Sequence, residues 1–202
     1  MKIRKSVLLM LLILSCQGQS SKNRFLQQIS DYPKSIIDHF PKEVKGMYRT
    51  AVIADIEHDV TSIMLLNQYE DSQYFRIKDS LIQLSHVKYS PEDTCLLVLN
   101  MYSNETNFFN SFKTYDETFM GKECLKNKLP VPNFWPLDME SNTVANLPGD
   151  FDIHVFEAKD EIIDNKYLSK NVYMPEYWAH GYSKGVATND KAHEIIYWFI
   201  LW

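Results

Sequence analysis

Glu194-Ile195-Ile196-Tyr197-Trp198-Phe199-Ile200-Leu201-Trp202 closes the chain, and its reading decides the fold. Eight consecutive apolar residues are far short of the roughly 20 that a membrane-spanning helix needs. They are also too apolar on both alternating faces for a strand at the rim of a sheet, so this segment is expected to be a central strand covered on both sides. Just upstream, Gly185 to Thr188 and then Asn189-Asp190-Lys191-Ala192 supply a short strand and a turn-forming stretch. Together they predict a terminal β-hairpin.

Working outward, Phe151 to Glu157 alternates cleanly. Phe151, Ile153 and Val155 are expected inward, and Asp150, Asp152 and His154 outward. Arg49 to Asp59 repeats the pattern, with Val52, Ala54 and Ile56 opposing Asp55, Glu57 and Asp59. Thr94 to Met101 is apolar on both faces and reads as a second central strand, whereas Ile63 to Leu66 is apolar without an assignable period. Ser72 to Leu84 carries Tyr74, Ile77, Leu81 and Leu84 at helical spacing, and aromatic-rich Asn107 to Met120 also reads as helix. Pro33 opens a short helix that Pro41 closes, and Leu129 to Pro136, with three prolines, is extended loop. Strands and helices without regular βα alternation, and only six glycines, predict an α+β domain on a mainly antiparallel sheet.

The N-terminus has a different logic. Lys2, Arg4 and Lys5 precede the apolar run Val7 to Leu14, then Ser15 and Cys16. A basic start, a short apolar core and a small residue before the cut are the parts of an export signal. Ile13-Leu14-Ser15-Cys16 resembles the lipobox of bacterial prolipoproteins, with Ile13 in place of the usual Leu and Leu14 bulkier than the favoured residue. The resemblance covers these residues alone. It implies cleavage before Cys16, a lipid on the Cys16 thiol, and the membrane as a partner through that lipid. Gln17, where an aspartate favours inner-membrane retention in enteric bacteria, points by analogy to the outer membrane. The expected organisation is a signal peptide over residues 1–15, a lipidated cysteine and polar tether over 16–30, and one α+β domain over 31–202.

The chain has 202 residues, 21 Lys and Arg against 26 Asp and Glu, and a formal charge of −5. Three of the basic residues lie in the leader, so the remainder is still more acidic. An acidic chain without a basic cluster argues against nucleic acid as a partner. Beside Cys16 stand only Cys95 and Cys124. In an oxidising compartment they form a disulfide; otherwise Cys95, within Cys95-Leu96-Leu97-Val98-Leu99, is a small buried hydrophobe.

Phosphate loops, dinucleotide fingerprints, nucleophile elbows and Cys-x-x-Cys pairs are missing from the sequence, and no cofactor is expected. Three groupings bear on chemistry. Asp150, Asp152 and His154, two apart on one strand face, offer oxygens and an imidazole to a divalent metal, or form the wet face of a strand. Glu176 and His180 are spaced as an acid/base pair or as a helix ion pair. Tyr177, Trp178, His180 and Tyr182, framed by Gly181 and Gly185, offer aromatic faces to a sugar or peptide, or pack in the core; Trp135, between prolines, is a partner contact or a lid over the sheet. Asp79-Ser80-Leu81 also resembles the short O-glycosylation acceptor of exported Bacteroidetes proteins. The resulting expectation is a lipid-anchored envelope protein that binds a glycan or protein without catalysis. The alternatives are a lipoprotein hydrolase using Glu176 and His180, and a structural or protective envelope protein.

Overall fold

In a computed structural model, the protein is described over residues 25–30, 32–44, 46–55, 60–99, 123–163 and 174–202. The side chains of 53–55 and 60 fall outside that description, as do the expected signal peptide, Cys16 and the expected helix 107–120. The chain divides after Val44 into two compact units. The boundary expected at residue 30 falls inside the first of them.

In that first unit, residues 25–30 are helical and α1 covers Lys34–Ile37. Phe25 and Ile29, one turn apart, are buried, and the rings of Phe25 and Phe40 lie 6.4 Å apart. Part of the stretch expected as tether is thus an apolar-striped turn of helix, because the i, i+4 spacing of Phe25 and Ile29 puts both on one face.

The second unit is built on six antiparallel strands: β1 (Tyr48–Asp55), β2 (Val60–Gln68), β3 (Val87–Tyr89), β6 (Asp152–Lys159), β7 (Tyr182–Asn189) and β8 (Glu194–Leu201). Their order across the sheet is β1-β2-β8-β7-β6-β3. A two-stranded parallel pair, β4 (Val98–Leu99) with β5 (Val131–Pro132), stands apart from it. Among the described residues the one long helix is α2 (Asp71–Ile82). An α+β domain on a mainly antiparallel sheet is what the sequence pattern implies.

The terminal hairpin forms as expected. Asn189 pairs with Glu194, and the Asn189 side-chain oxygen accepts from the backbone N–H groups of Lys191 and Ala192, fixing the turn locally. Strand β8 lies between β2 and β7, and its residues from Ile195 to Leu201 are all buried. Ile196, Trp198, Ile200 and Trp202 join Met64, Leu66, Ile153, Val155 and Ala187 in one core cluster. Leu96, Leu97, Val131, Phe134 and Leu147, from β5 and the loops around it, complete that cluster as a covering layer. Gly185, directly across from Trp198, makes room for the indole: a Cβ there would stand 2.6 Å from Trp198 Cζ2 and 2.1 Å from the His154 carbonyl oxygen.

Two expectations are corrected. Ile63 to Leu66, left unassigned, is the middle of β2 and is buried on both faces. Thr94 to Met101 is not a central strand of the main sheet. Over its described part only Val98 and Leu99 pair, with Val131 and Pro132, inside the covering layer. A core layer and a central strand both demand apolar residues on two faces, so periodicity does not separate them.

Candidate functional site

The site begins with the faces of β6. Ile153 and Val155 point into the core, so Asp152 and His154 share the opposite face. The ladder to β7 then slips between Val155 and Glu157, one extra residue on β6. This bulge reverses the alternation. Glu157, which would otherwise fall on the Ile153 face, sits across from Lys184, and Lys159 sits across from Tyr182. One sheet face therefore carries Asp152, His154, Glu157 and Lys159, with Thr188, Lys184 and Tyr182 from β7 beside them.

At the turn end of the β7–β8 hairpin this face meets α2. The Tyr74 hydroxyl donates to Asp190 Oδ1 at 2.6 Å, and Lys78 Nζ donates to both Asp190 oxygens at 2.6 and 2.7 Å. His193, in the same turn with a left-handed φ of 52°, sets Nδ1 2.9 Å from Asp71 Oδ1 and packs against the rings of Tyr74 and Phe75. One strand over, His154 Nε2 makes a long 3.5 Å contact with the Thr188 hydroxyl, and both residues are buried. Asp152 completes the group with a 2.8 Å ion pair to Lys88 of β3.

The charges are matched pair by pair. Burial raises the Asp190 carboxyl, but the Lys78 ammonium and the Tyr74 hydroxyl outweigh it and hold Asp190 below the usual carboxylate range. Burial and the adjacent Asp190 carboxylate push the Tyr74 phenol up, so it stays protonated and donates. Burial lowers His154, and Lys88 and Lys78 add to the effect while Asp152 and Asp190 oppose it. Its imidazole is therefore neutral near pH 7. Chemically, the arrangement ties a hairpin tip to a helix, with one buried neutral imidazole at its base.

The opposite end of β6–β7 carries a second polar group. Lys159 Nζ lies 2.8 Å from Glu157 Oε1 and 5.8 Å from the centre of the Tyr182 ring, and Lys184 Nζ is 3.6 Å from Glu157 Oε2. Burial raises the Glu157 carboxyl, yet bonds from Lys159 and Tyr182 and the Lys184 charge bring it below its ordinary value.

The residues singled out from sequence fall as follows. Asp152 and His154 share a face as expected, but His154 is buried rather than wet, and Asp150 is exposed ahead of the strand. Asp152 turns to Lys88 and His154 to Thr188, and among the described residues no three His, Cys, Asp or Glu side chains are placed to hold a metal ion. Trp178 and Tyr182 are buried. Trp178 packs beside Trp202, whose indole N–H donates to the Trp178 carbonyl at 2.7 Å, so these two rings are core rather than an open shelf. Tyr177 is half exposed, its hydroxyl 3.4 Å from the Leu125 carbonyl oxygen. Glu176 is exposed on a one-turn 3-10 helix, Glu176–Trp178, and His180 follows that turn. The His180 Nδ1 is buried with no hydrogen-bond partner among the described residues. Trp135 is part-buried in the turn Trp135–Leu137 of the covering layer.

Cys95 and Cys124 are joined in a disulfide with Cα atoms 5.9 Å apart. Among the described residues no helix is long and apolar enough to cross a membrane. Comparison with known proteins finds no matching family model and no match among curated proteins or solved structures.

Proposed function

We propose that the chain is an exported, lipid-anchored protein of a bacterial envelope, held to the membrane through Cys16, whose folded domain binds a glycan or protein partner without catalysis. The Cys95–Cys124 disulfide carries this reading. Disulfides persist in oxidising compartments and are rare where thiols are kept reduced, so a bridged pair supports export independently of the leader. The leader supplies the destination, and its resemblance to a lipobox supplies the anchor.

The charge pairing favours binding or scaffolding over catalysis. A reacting acid or base needs a pKa matched to its task and access to a substrate. In the hairpin cluster, Asp190 is committed to Tyr74 and Lys78, and His154 is buried beside Thr188. Each polar group there ties one element to another.

The anchor is tested by replacing Cys16 with Ala and fractionating cells. The parent should pellet with membranes and the variant should move to the soluble exported fraction. Unchanged membrane association of the variant would overturn the anchoring reading.

A further inference from the structure

Cys95 and Cys124 are unequal partners in their disulfide. Cys124 sits exposed on the one-turn 3-10 helix Glu123–Leu125, whereas Cys95 is part-buried. Each is followed directly by a fully buried leucine, Leu96 and Leu125, so both backbones are anchored in the core independently of the sulfurs. Bonds on either side of the bridge hold the same two stretches of chain together. The Asp93 carboxylate accepts from the Cys95 backbone N–H at 2.8 Å through one oxygen and from Lys128 Nζ at 2.9 Å through the other. The Lys128 ammonium also stands 4.9 Å from the centre of the Tyr89 ring, and the Tyr89 hydroxyl accepts from the Leu129 backbone N–H at 2.9 Å. Further along, the Val131 N–H donates to the Leu97 carbonyl at 2.9 Å, and Val98 pairs with Val131.

None of these bonds needs the sulfurs to be joined. The two thiols of the reduced protein therefore stay close, at a high effective concentration, and the bridge can close again without refolding. An exposed sulfur is also the one that an incoming thiolate reaches, and exposed disulfides are the labile ones. We propose that Cys95–Cys124 is a reversible two-electron couple that exchanges with an external dithiol, with Cys124 the sulfur attacked and Cys95 the leaving and resolving thiol. One thiolate of the dithiol bonds to Cys124 Sγ and the S–S bond breaks, its electron pair leaving on Cys95 Sγ. The second thiolate then attacks the external sulfur of that mixed disulfide and releases Cys124 Sγ. The dithiol ends as a disulfide, and the protein, having taken up two electrons and two protons, ends as two thiols. The couple stands on the bridge and its flanks, and it does not rest on the lipid anchor or on the proposed ligand.

The test uses the full chain, purified oxidised in detergent, with dithiothreitol as the dithiol. Without denaturant the bridge should open to two free thiols while tryptophan fluorescence stays native. Replacing dithiothreitol with glutathione disulfide should then restore the bridge and the original thermal midpoint. Brief alkylation of the reduced parent should label Cys124 about tenfold faster than Cys95, since reactivity follows exposure. Cys95→Ser should take up glutathione on Cys124 readily, and Cys124→Ser should take it up on Cys95 about tenfold more slowly. The readings on the parent hold whether or not either variant folds. A bridge that opens only in denaturant overturns the proposal. So does a reduced protein that loses its native fluorescence, or equal labelling of the two thiols.

Discussion

Asp190 accepts three hydrogen bonds from α2, one from Tyr74 and two from Lys78, and so fastens the tip of the terminal hairpin to that helix. Its side chain is 57 % exposed, so solvent weakens the ion pair and the buried tyrosine hydroxyl bond matters more. Asp190→Asn should cost about 1 kcal/mol, read as a lower midpoint in urea unfolding. The pH dependence follows from the directions of the shifts. Asp190 and Asp93 both titrate below their ordinary 3.8, Asp93 chiefly through its 2.9 Å bond from Lys128. Their contribution is present above pH 3.8 and is lost as pH falls through the folded values. His154 acts higher on the scale. Its folded value lies below the ordinary 6.5, so on acidification through 6.5 the unfolded chain takes up the proton first and stability falls. Between pH 7.5 and 5.5 the thermal midpoint of the parent should drop more than that of His154→Gln; equal drops would contradict a neutral buried imidazole.

At the scale of elements, two devices shape the domain. Gly185 lets β6, β7 and the Trp198 ring lie against one another, and a methyl group there has backbone on one side and an indole on the other. Gly185→Ala should therefore cost about 3 kcal/mol, visible as a loss of cooperative unfolding or of soluble yield. The disulfide closes a loop with a sequence separation of 29. Replacing Cys95 and Cys124 together by Ser should remove about 3–4 kcal/mol by the chain-entropy relation, and the parent should show a comparable drop with reductant. How far the fold is legible depends on whether the causes are local. The hairpin of β7 and β8 is written in adjacent residues, a turn sequence between two apolar runs, and so is the inward set Ile153 and Val155. The bulge before Glu157 is not, because alternation carries no mark of one extra residue. The short pairing of Val98 with Val131 is not either, since a covering layer and a central strand are equally apolar. At the site, Asp152 and His154 were recognisable as sharing a face. Their surroundings were not, because Tyr74 and Lys78 reach Asp190 across 116 and 112 positions of chain.

At the scale of the whole molecule, an acidic α+β domain with an internal disulfide follows a short N-terminal unit. On the proposed reading, an export signal and a thiol-linked lipid would place such a domain outside the cytosol, where the bridge would form and the anchor would supply the membrane contact. Location and disulfide are thus coupled: a chain held in the cytosol should carry both Cys95 and Cys124 as free thiols and unfold at lower temperature. The most direct measurement is the intact mass of protein extracted from the membranes of its own cells. Loss of residues 1–15 together with added acyl mass on Cys16 is the expected result. A chain that keeps Met1, or a mature form with an unmodified thiol at position 16, would contradict it.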